Sequence, residues 1–325
     1  MDIVTKQLPE IVLTGVGVVS PVGTAKQDFF RYLKETAPAE ATAGEPGAAG
    51  QLLTRLNLTE PKLKIARYMD PISKNAIVAM RGAMNDANIT EDQISARAYE
   101  YGVVLGTARG PCVTREGLFD SFASRQGKMV SGTLFSHCGY NIAGAMTAIA
   151  YGLKGPNLTV ADRGDLGLAI LRRARTILAK KRAHTVFAGF TEGDGAARPG
   201  KVPFGEFAYL LCLESRERAA ERRAVVLAGL NLQDEEVSVD HREGGVVYGM
   251  DGAEAPETPS AEPLSQPLPG RQILGDRYLS LCMVGLLSHD RGLKKRFSAA
   301  AFNAGAGRAG AKLKVVFGRE EHPGV

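Results

Sequence analysis

Short, near-continuous apolar runs alternate along this chain with segments whose apolar residues recur at helical spacing, and that alternation restricts the fold more than any other property of the sequence. Runs rich in Val, Ile and Leu fall at 11–19, 101–107, 157–161, 185–190, 207–214, 225–232 and 312–317. Helical patterns lie between several of them, at Ser73 to Ala87, Asn141 to Tyr151 and Asp165 to Lys181. A strand that is apolar at every position has both faces to bury. The pattern therefore predicts an α/β protein whose sheet is covered by helices on each side. Two stretches break the alternation: residues 35–51 (ETAPAEATAGEPGAAGQ) and 251–270 (DGAEAPETPSAEPLSQPLPG) have the composition of loops.

Several function classes drop out early. At 325 residues and 44% hydrophobic content the chain can bury a large core. Its apolar runs stop short of the roughly 20 residues a membrane-spanning helix needs. The opening MDIVTKQLPE lacks the basic-then-apolar order of a secretory leader, so a cytoplasmic location with no membrane contact is expected. Cys112, Cys138, Cys212 and Cys282 stand far apart in apolar or Gly-rich surroundings and are expected to be buried, reduced thiols. The five histidines form no HxxxH or HExxH pair, so neither a metal nor a cofactor is expected.

The net charge of +5 is concentrated in one place. Arg172, Arg173, Arg175, Lys180, Lys181 and Arg182 crowd a segment whose apolar residues Leu166, Ile170, Leu171, Ile177 and Leu178 keep helical spacing. This reads as the solvated face of an amphipathic helix, and the lack of aromatic residues there argues against nucleic acid. A formal GxGxxG, Gly305-Ala-Gly307-Arg-Ala-Gly310, leads into the run at 312–317 instead of opening a helix, so a dinucleotide site is not expected.

The order of motifs carries a resemblance. IVLTGVGVVSPVGT at Ile11 to Thr24 resembles the start of elongating β-ketoacyl-acyl carrier protein synthases. DPISKNAIVAMRGAMNDANI resembles the first long helix of that family, and YGVVLGTARGP at Tyr101 to Pro111 its strand leading to the dimer interface. NIAGAMTAIAYGLKGPNLTV, Asn141 to Val160, resembles the helix, turn and strand that deliver the family's chain to its nucleophilic cysteine. AFNAGAGRAGAKLKVVF resembles the Gly-rich loop and last strand. The resemblance implies a thiolase-like fold, layered αβαβα, with an N-terminal half at 1–205 and a shortened C-terminal half at 206–325.

The family's chemistry needs a thiolate at a strand-to-helix elbow, where backbone N–H groups and the helix N-terminus favour the anion. Here the elbow reads Val160-Ala-Asp-Arg-Gly-Asp-Leu166, so Arg163 (or, one register on, Gly164) takes the place of the cysteine. The family's two histidine loops correspond by resemblance to Asp251-Gly-Ala-Glu-Ala-Pro256 and Arg271-Gln272-Ile-Leu-Gly275, which puts Asp251 and Gln272 where histidines belong. The elbow with its preceding Asp162, and LSLCMVGLLSHDRGL at Leu279 to Leu293, resemble the chain length factors, the cysteine-lacking β subunits of type II polyketide ketosynthases.

That resemblance implies a non-catalytic subunit that pairs with a catalytic ketosynthase through an edge of the central sheet. It also implies contact with an acyl carrier protein and its tethered chain. Cys112, Arg115 and Phe119 then fall where such subunits carry tunnel-gating residues, and their spacing of three and seven puts them on one helical face. Two other classes stay open at this stage: an acyltransferase using Cys138 or Cys112 as nucleophile, and a scaffold that keeps the fold for another purpose.

Overall fold

The computed structural model describes residues 11–20, 23–35, 69–128, 131–161, 166–193, 207–232, 236–241, 244–249, 301–303 and 312–314. Eight strands form one sheet: β1 (Ile11–Val19), β2 (Tyr101–Gly106), β3 (Asn157–Val160), β4 (Thr185–Glu192), β5 (Phe207–Ser215), β6 (Ala228–Leu232), β7 (Glu236–His241) and β8 (Gly244–Gly249). Their spatial order is β3-β2-β4-β5-β1-β6-β7-β8. A separate antiparallel pair joins β9 (Ala301–Asn303) to β10 (Lys312–Lys314). The helices are α1 (Lys26–Glu35), α2 (Pro71–Asp86), α3 (Glu91–Ala96), α4 (Cys112–Ser124), α5 (Gly132–Ser136), α6 (Ile142–Tyr151), α7 (Leu166–Ala179) and α8 (Arg216–Glu221).

Every residue of β1, β2, β4 and β5 is buried, as runs apolar on both faces require. One face is covered by α2 and α6, whose Ile72, Ala76, Met80, Ile142 and Met146 pack with Val103, Leu105, Phe187 and Leu210. The opposite face is covered by α7 and α1. A Cβ on Gly106 would lie 2.5 Å from Ile170 Cδ1, and Phe29 meets the rings of Phe207 and Tyr209 at 6.4 and 5.8 Å. The fold is thus α/β and layered, with β5 inside the first sheet.

The tightest contact is that of β1 with α2. A Cβ on Gly17 would stand 1.8 Å from the carbonyl oxygen of Ala79, and one on Gly15 2.5 Å from that of Ala83. Helix and strand therefore meet backbone to backbone, which only glycine permits. At the other end of this contact a buried ion pair ties four elements together. Glu214 on β5 accepts from Arg222 Nε at 2.8 Å, from Thr14 of β1 at 2.7 Å and from Thr185 of β4 at 3.1 Å. Arg222, just past α8, also donates to the Ala87 carbonyl at the end of α2, at 2.6 Å. Burial opposes the Arg222 charge, but the bonds to Glu214 more than offset it, so its pKa is raised.

Strands at 11–19, 101–107, 157–161, 185–190 and 207–214 form where the sequence predicts them, within two residues. The last two differ. The run at 225–232 enters the sheet only at Ala228, because Val225 and Val226 are exposed in the crossing from α8, and the strand within 312–317 spans Lys312–Lys314 in the described residues. The segment before Asp251 is the hairpin β7–β8, closing between His241 and Gly244. Its polar alternation, EVSVDH against GGVVYG, carries no apolar run to signal it.

The close approach makes a stability prediction. Gly17→Ala should lower the unfolding free energy by about 1–3 kcal/mol, the usual range for overpacking a core. Gly117→Ala, in α4 with open space around it, should raise stability by up to about 1 kcal/mol, as Ala for Gly in a helix does. Thermal and urea unfolding of both variants beside the parent check the contrast; equal midpoints for all three would contradict it.

Candidate functional site

Strands β2, β3 and β4 are parallel, so their carboxyl ends, Gly106, Val160 and Glu192, open on the same edge of the sheet. In open α/β sheets the crevice beyond such ends is where ligands bind. Three pieces converge here: the 107–111 loop after β2, Gly193 after β4, and the start of α2 at Asp70. β3 ends at Val160 and α7 begins at Leu166; the elbow expected between them, residues 162–165, lies outside the described residues.

The GLKGPN motif shapes β3. Gly152 ends α6 in the left-handed region at φ 69°. Gly155 then passes under Tyr101, whose carbonyl accepts its N–H at 3.1 Å and where a Cβ would stand 2.4 Å away. Pro156 presents its carbonyl to Val103 N–H at 2.8 Å, and Val160 does the same to Thr107 at 3.1 Å. By strand alternation the backbone groups of Asn157 and Thr159 then point away from β2. Among the described residues no other strand pairs with that side, since β3 stands at the sheet's edge.

The interior of the crevice is polar and pinned. Glu192, 1% exposed, accepts from the Thr107 hydroxyl at 3.3 Å and from Ala108 N–H. Thr107 in turn accepts from Gly110 N–H at 2.9 Å. Asn75 and Thr191 link β4 to α2 through the Glu192 and Ile72 carbonyls, at 3.2 and 2.7 Å. Asp70 caps α2 through Ile72 N–H at 3.2 Å and accepts Thr114 N–H of α4 at 2.9 Å. Neither Asp70 nor Glu192 stood out in the sequence. The Asp-Pro at 70–71 is a helix-start signature that points to the first, whereas nothing local marks the second.

Cys112, Arg115 and Phe119 do come together on one helix, α4. Cys112 is half-buried and its thiol donates to the Gly193 carbonyl at 3.3 Å. Arg115 lies over the Tyr140 ring at 4.9 Å and donates to the Arg109 carbonyl. Phe119 is 68% exposed, in a surface that includes Phe122, Phe135 at 67% and Ile149 at 70%. Arg163, Gly164, Asp162, Asp251 and Gln272 lie outside the described residues, as do Cys282 and the glycines at 305–310.

The cysteine expectation needs correcting. Among the described cysteines Cys212 alone is buried; Cys112 and Cys138 are half-buried because each sits at a helix end on the exposed α4–α5 side. Burial pushes the Cys112 thiol up, and the charges of Asp70 and Glu116 add to it against a weaker opposing effect of Arg109. Burial beside Glu214 pushes Cys212 well up. Cys138 donates to the Phe135 carbonyl at 2.9 Å. Among the described residues no group of His, Cys, Asp and Glu could hold a metal ion, and no helix is long and apolar enough to cross a membrane. The basic segment forms the exposed side of α7: Arg172, Arg173, Lys180, Lys181 and Arg182 face solvent while Leu166, Ile170, Leu171, Ile177 and Leu178 are buried.

This architecture, with a parallel edge strand β3 and a helix α7 that backs the sheet, is the thiolase-like fold of ketosynthases. Two solved structures share it: "The ishigamide ketosynthase/chain length factor", with TM-score 0.51 and 17% identity over 68% of this chain and 62% of that one, and a type II polyketide synthase acyl-carrier protein in complex with its ketosynthase, with TM-score 0.54 and 19% identity over 71% and 68%. Residues 55–199 match the family model of the β-ketoacyl synthase N-terminal domain. That segment of the chain is similar to the ketosynthase (β-ketoacyl synthase) family. The 3-oxoacyl-[acyl-carrier-protein] synthase 2 of Coxiella burnetii is 26% identical over 65% of this chain and 51% of its own length. The chain thus spans about half of that relative.

Thiol chemistry offers a check. With its pKa above the ordinary 9.0, Cys112 should alkylate more slowly at pH 8 than an unhindered thiol, the rate climbing as pH rises because only the thiolate reacts. Cys212 should react only on unfolding. Site-resolved mass spectrometry after timed iodoacetamide exposure measures both; a Cys112 that alkylates rapidly at pH 7 would contradict the electrostatics.

Proposed function

We propose that this chain is a non-catalytic ketosynthase-like subunit, a chain length factor, that pairs with a catalytic ketosynthase and shapes the tunnel for its growing acyl chain. The observation that carries this reading is the turn between β3 and α7, where the family's nucleophilic cysteine belongs. It reads Ala161-Asp-Arg-Gly-Asp165, and an arginine or glycine there cannot form an acyl thioester. Asp251 and Gln272 at the histidine positions add to the same conclusion. The Cys112 thiol, held neutral by burial and two acids, is a weak substitute nucleophile.

The edge strand and the apolar surface beside it support a partner. An edge with free backbone groups is a template for pairing, and natural proteins cover or blunt one that is flanked by apolar surface. Here Leu158 of β3, Ile149 of α6 and Phe119, Phe122 and Phe135 of α4–α5 are all exposed. A cysteine-bearing ketosynthase that adds its own edge strand to β3 would cover them and bring its acylated cysteine towards α4. The acyl carrier protein delivers the extender unit to that partner, and this chain sets how far the product can grow. Cys112, Arg115 and Phe119 act as its ruler by steric overlap with the chain's far end.

Two outcomes follow. Incubated alone with acyl carrier protein thioesters, the protein should gain no acyl mass; a stable adduct on any cysteine would overturn the non-catalytic reading. Co-expressed with a cysteine-bearing ketosynthase it should form a 1:1 complex, in which Phe119→Ala lengthens the products while turnover is kept. Each methylene housed in apolar surroundings is favourable by about 0.8 kcal/mol, enough to shift a product ratio several-fold per two-carbon extension. Unchanged product lengths at retained turnover would mean that Phe119 is not the stop.

A further inference from the structure

We propose that Asp70 is the positioning residue of α4: its two carboxylate oxygens clamp the first turns of α2 and α4 to each other and so set where the tunnel helix points. This rests on the ruler role proposed for α4.

Helix α4 begins without a cap of its own, since its N-cap is Pro111 and no side chain of the helix bonds to its first turn. The leading N–H groups of a helix need partners, and Thr114 N–H finds Asp70 Oδ2 at 2.9 Å. The other oxygen, Oδ1, takes Ile72 N–H of α2 at 3.2 Å. Asp70 is 1% exposed, so water does not compete for it, and its carboxylate sits at two helix N-termini, where a negative charge is favoured. One carboxylate therefore serves two helices.

Apart from this clamp, α4 packs against the short helix α5, which has no buried residue. Thr114 is the helix's one buried residue. Its first turn also bonds to its surroundings through side chains: Cys112 to the Gly193 carbonyl, and Arg115 to the Arg109 carbonyl and the Tyr140 ring. Phe119 follows Cys112 by seven residues, about 10 Å along the axis, so a tilt of roughly 10° at the clamp displaces it by about 2 Å. Helix α2 is immobilised by its backbone contact with β1 at Gly15 and Gly17. Asp70 transfers that rigidity to α4.

Asp70→Ser separates the two halves of the clamp. Serine still caps its own helix but cannot reach Thr114. Hydrogen exchange of the full chain should show protection in α4 falling about ten-fold with that of α2 retained, the size expected for loss of one cap. In complex with the catalytic ketosynthase the variant should give a broader spread of product lengths than wild type. Pro111→Ser, added to Asp70→Ser, gives α4 its own cap and should restore its protection but not the product spread, because the tie to α2 is still missing. A restored spread would mean that Asp70 is a cap and not a clamp, and would overturn the proposal. Unchanged protection in α4, an equal loss in α2, or altered exchange with an unaltered product spread would each overturn the proposal. Failure of the ruler role shows separately, as product lengths insensitive to Phe119→Ala, while the exchange data still judge the clamp.

Discussion

The contact of α2 with β1 is the reference for the remainder of the molecule. Two glycines on alternate positions of a buried strand let a helix backbone approach to where no side chain fits. The helix is then fixed in height and direction over the sheet. Its start is brought to the carboxyl ends of β2 and β4, and its end to the Glu214–Arg222 pair. A lesion in this contact would misplace the crevice before it touched any residue in it.

Within an apolar core, three buried carboxylates are each answered by fixed donors: Asp70 by two backbone N–H groups, Glu192 by a hydroxyl and an N–H, Glu214 by a guanidinium and two hydroxyls. Such satisfied groups form a rigid framework, and removing one partner of the buried Glu214–Arg222 pair would cost about 3–5 kcal/mol. Large apolar side chains, by contrast, stand exposed on α4, α5, α6 and β3. Exposed apolar side chains on elements next to an edge strand support the partner surface proposed above.

Legibility followed the strength of the local signal. Strands buried on both faces announce themselves as unbroken apolar runs, and β1, β2, β4 and β5 were readable for that reason. The hairpin β7–β8 was not, because its residues alternate and its register comes from neighbours. The glycines of GLKGPN were visible as punctuation, yet their reason is a carbonyl supplied by Tyr101, more than fifty positions away in sequence. Cys112, Arg115 and Phe119 could be placed on one helix from spacing alone. Their exposure could not, since it depends on what packs against that helix.

The sequence by itself determined the α/β layering, the positions of the central strands along the chain and the absence of cysteine between Val160 and Leu166, because each is a property of residue type and local periodicity. Only the tertiary structure decided that β3 lies at an open edge, that Asp70 joins two helices and that Phe119 faces outwards. These depend on which distant segments come to lie side by side, and pairing across long stretches of chain leaves no mark in either partner's own sequence.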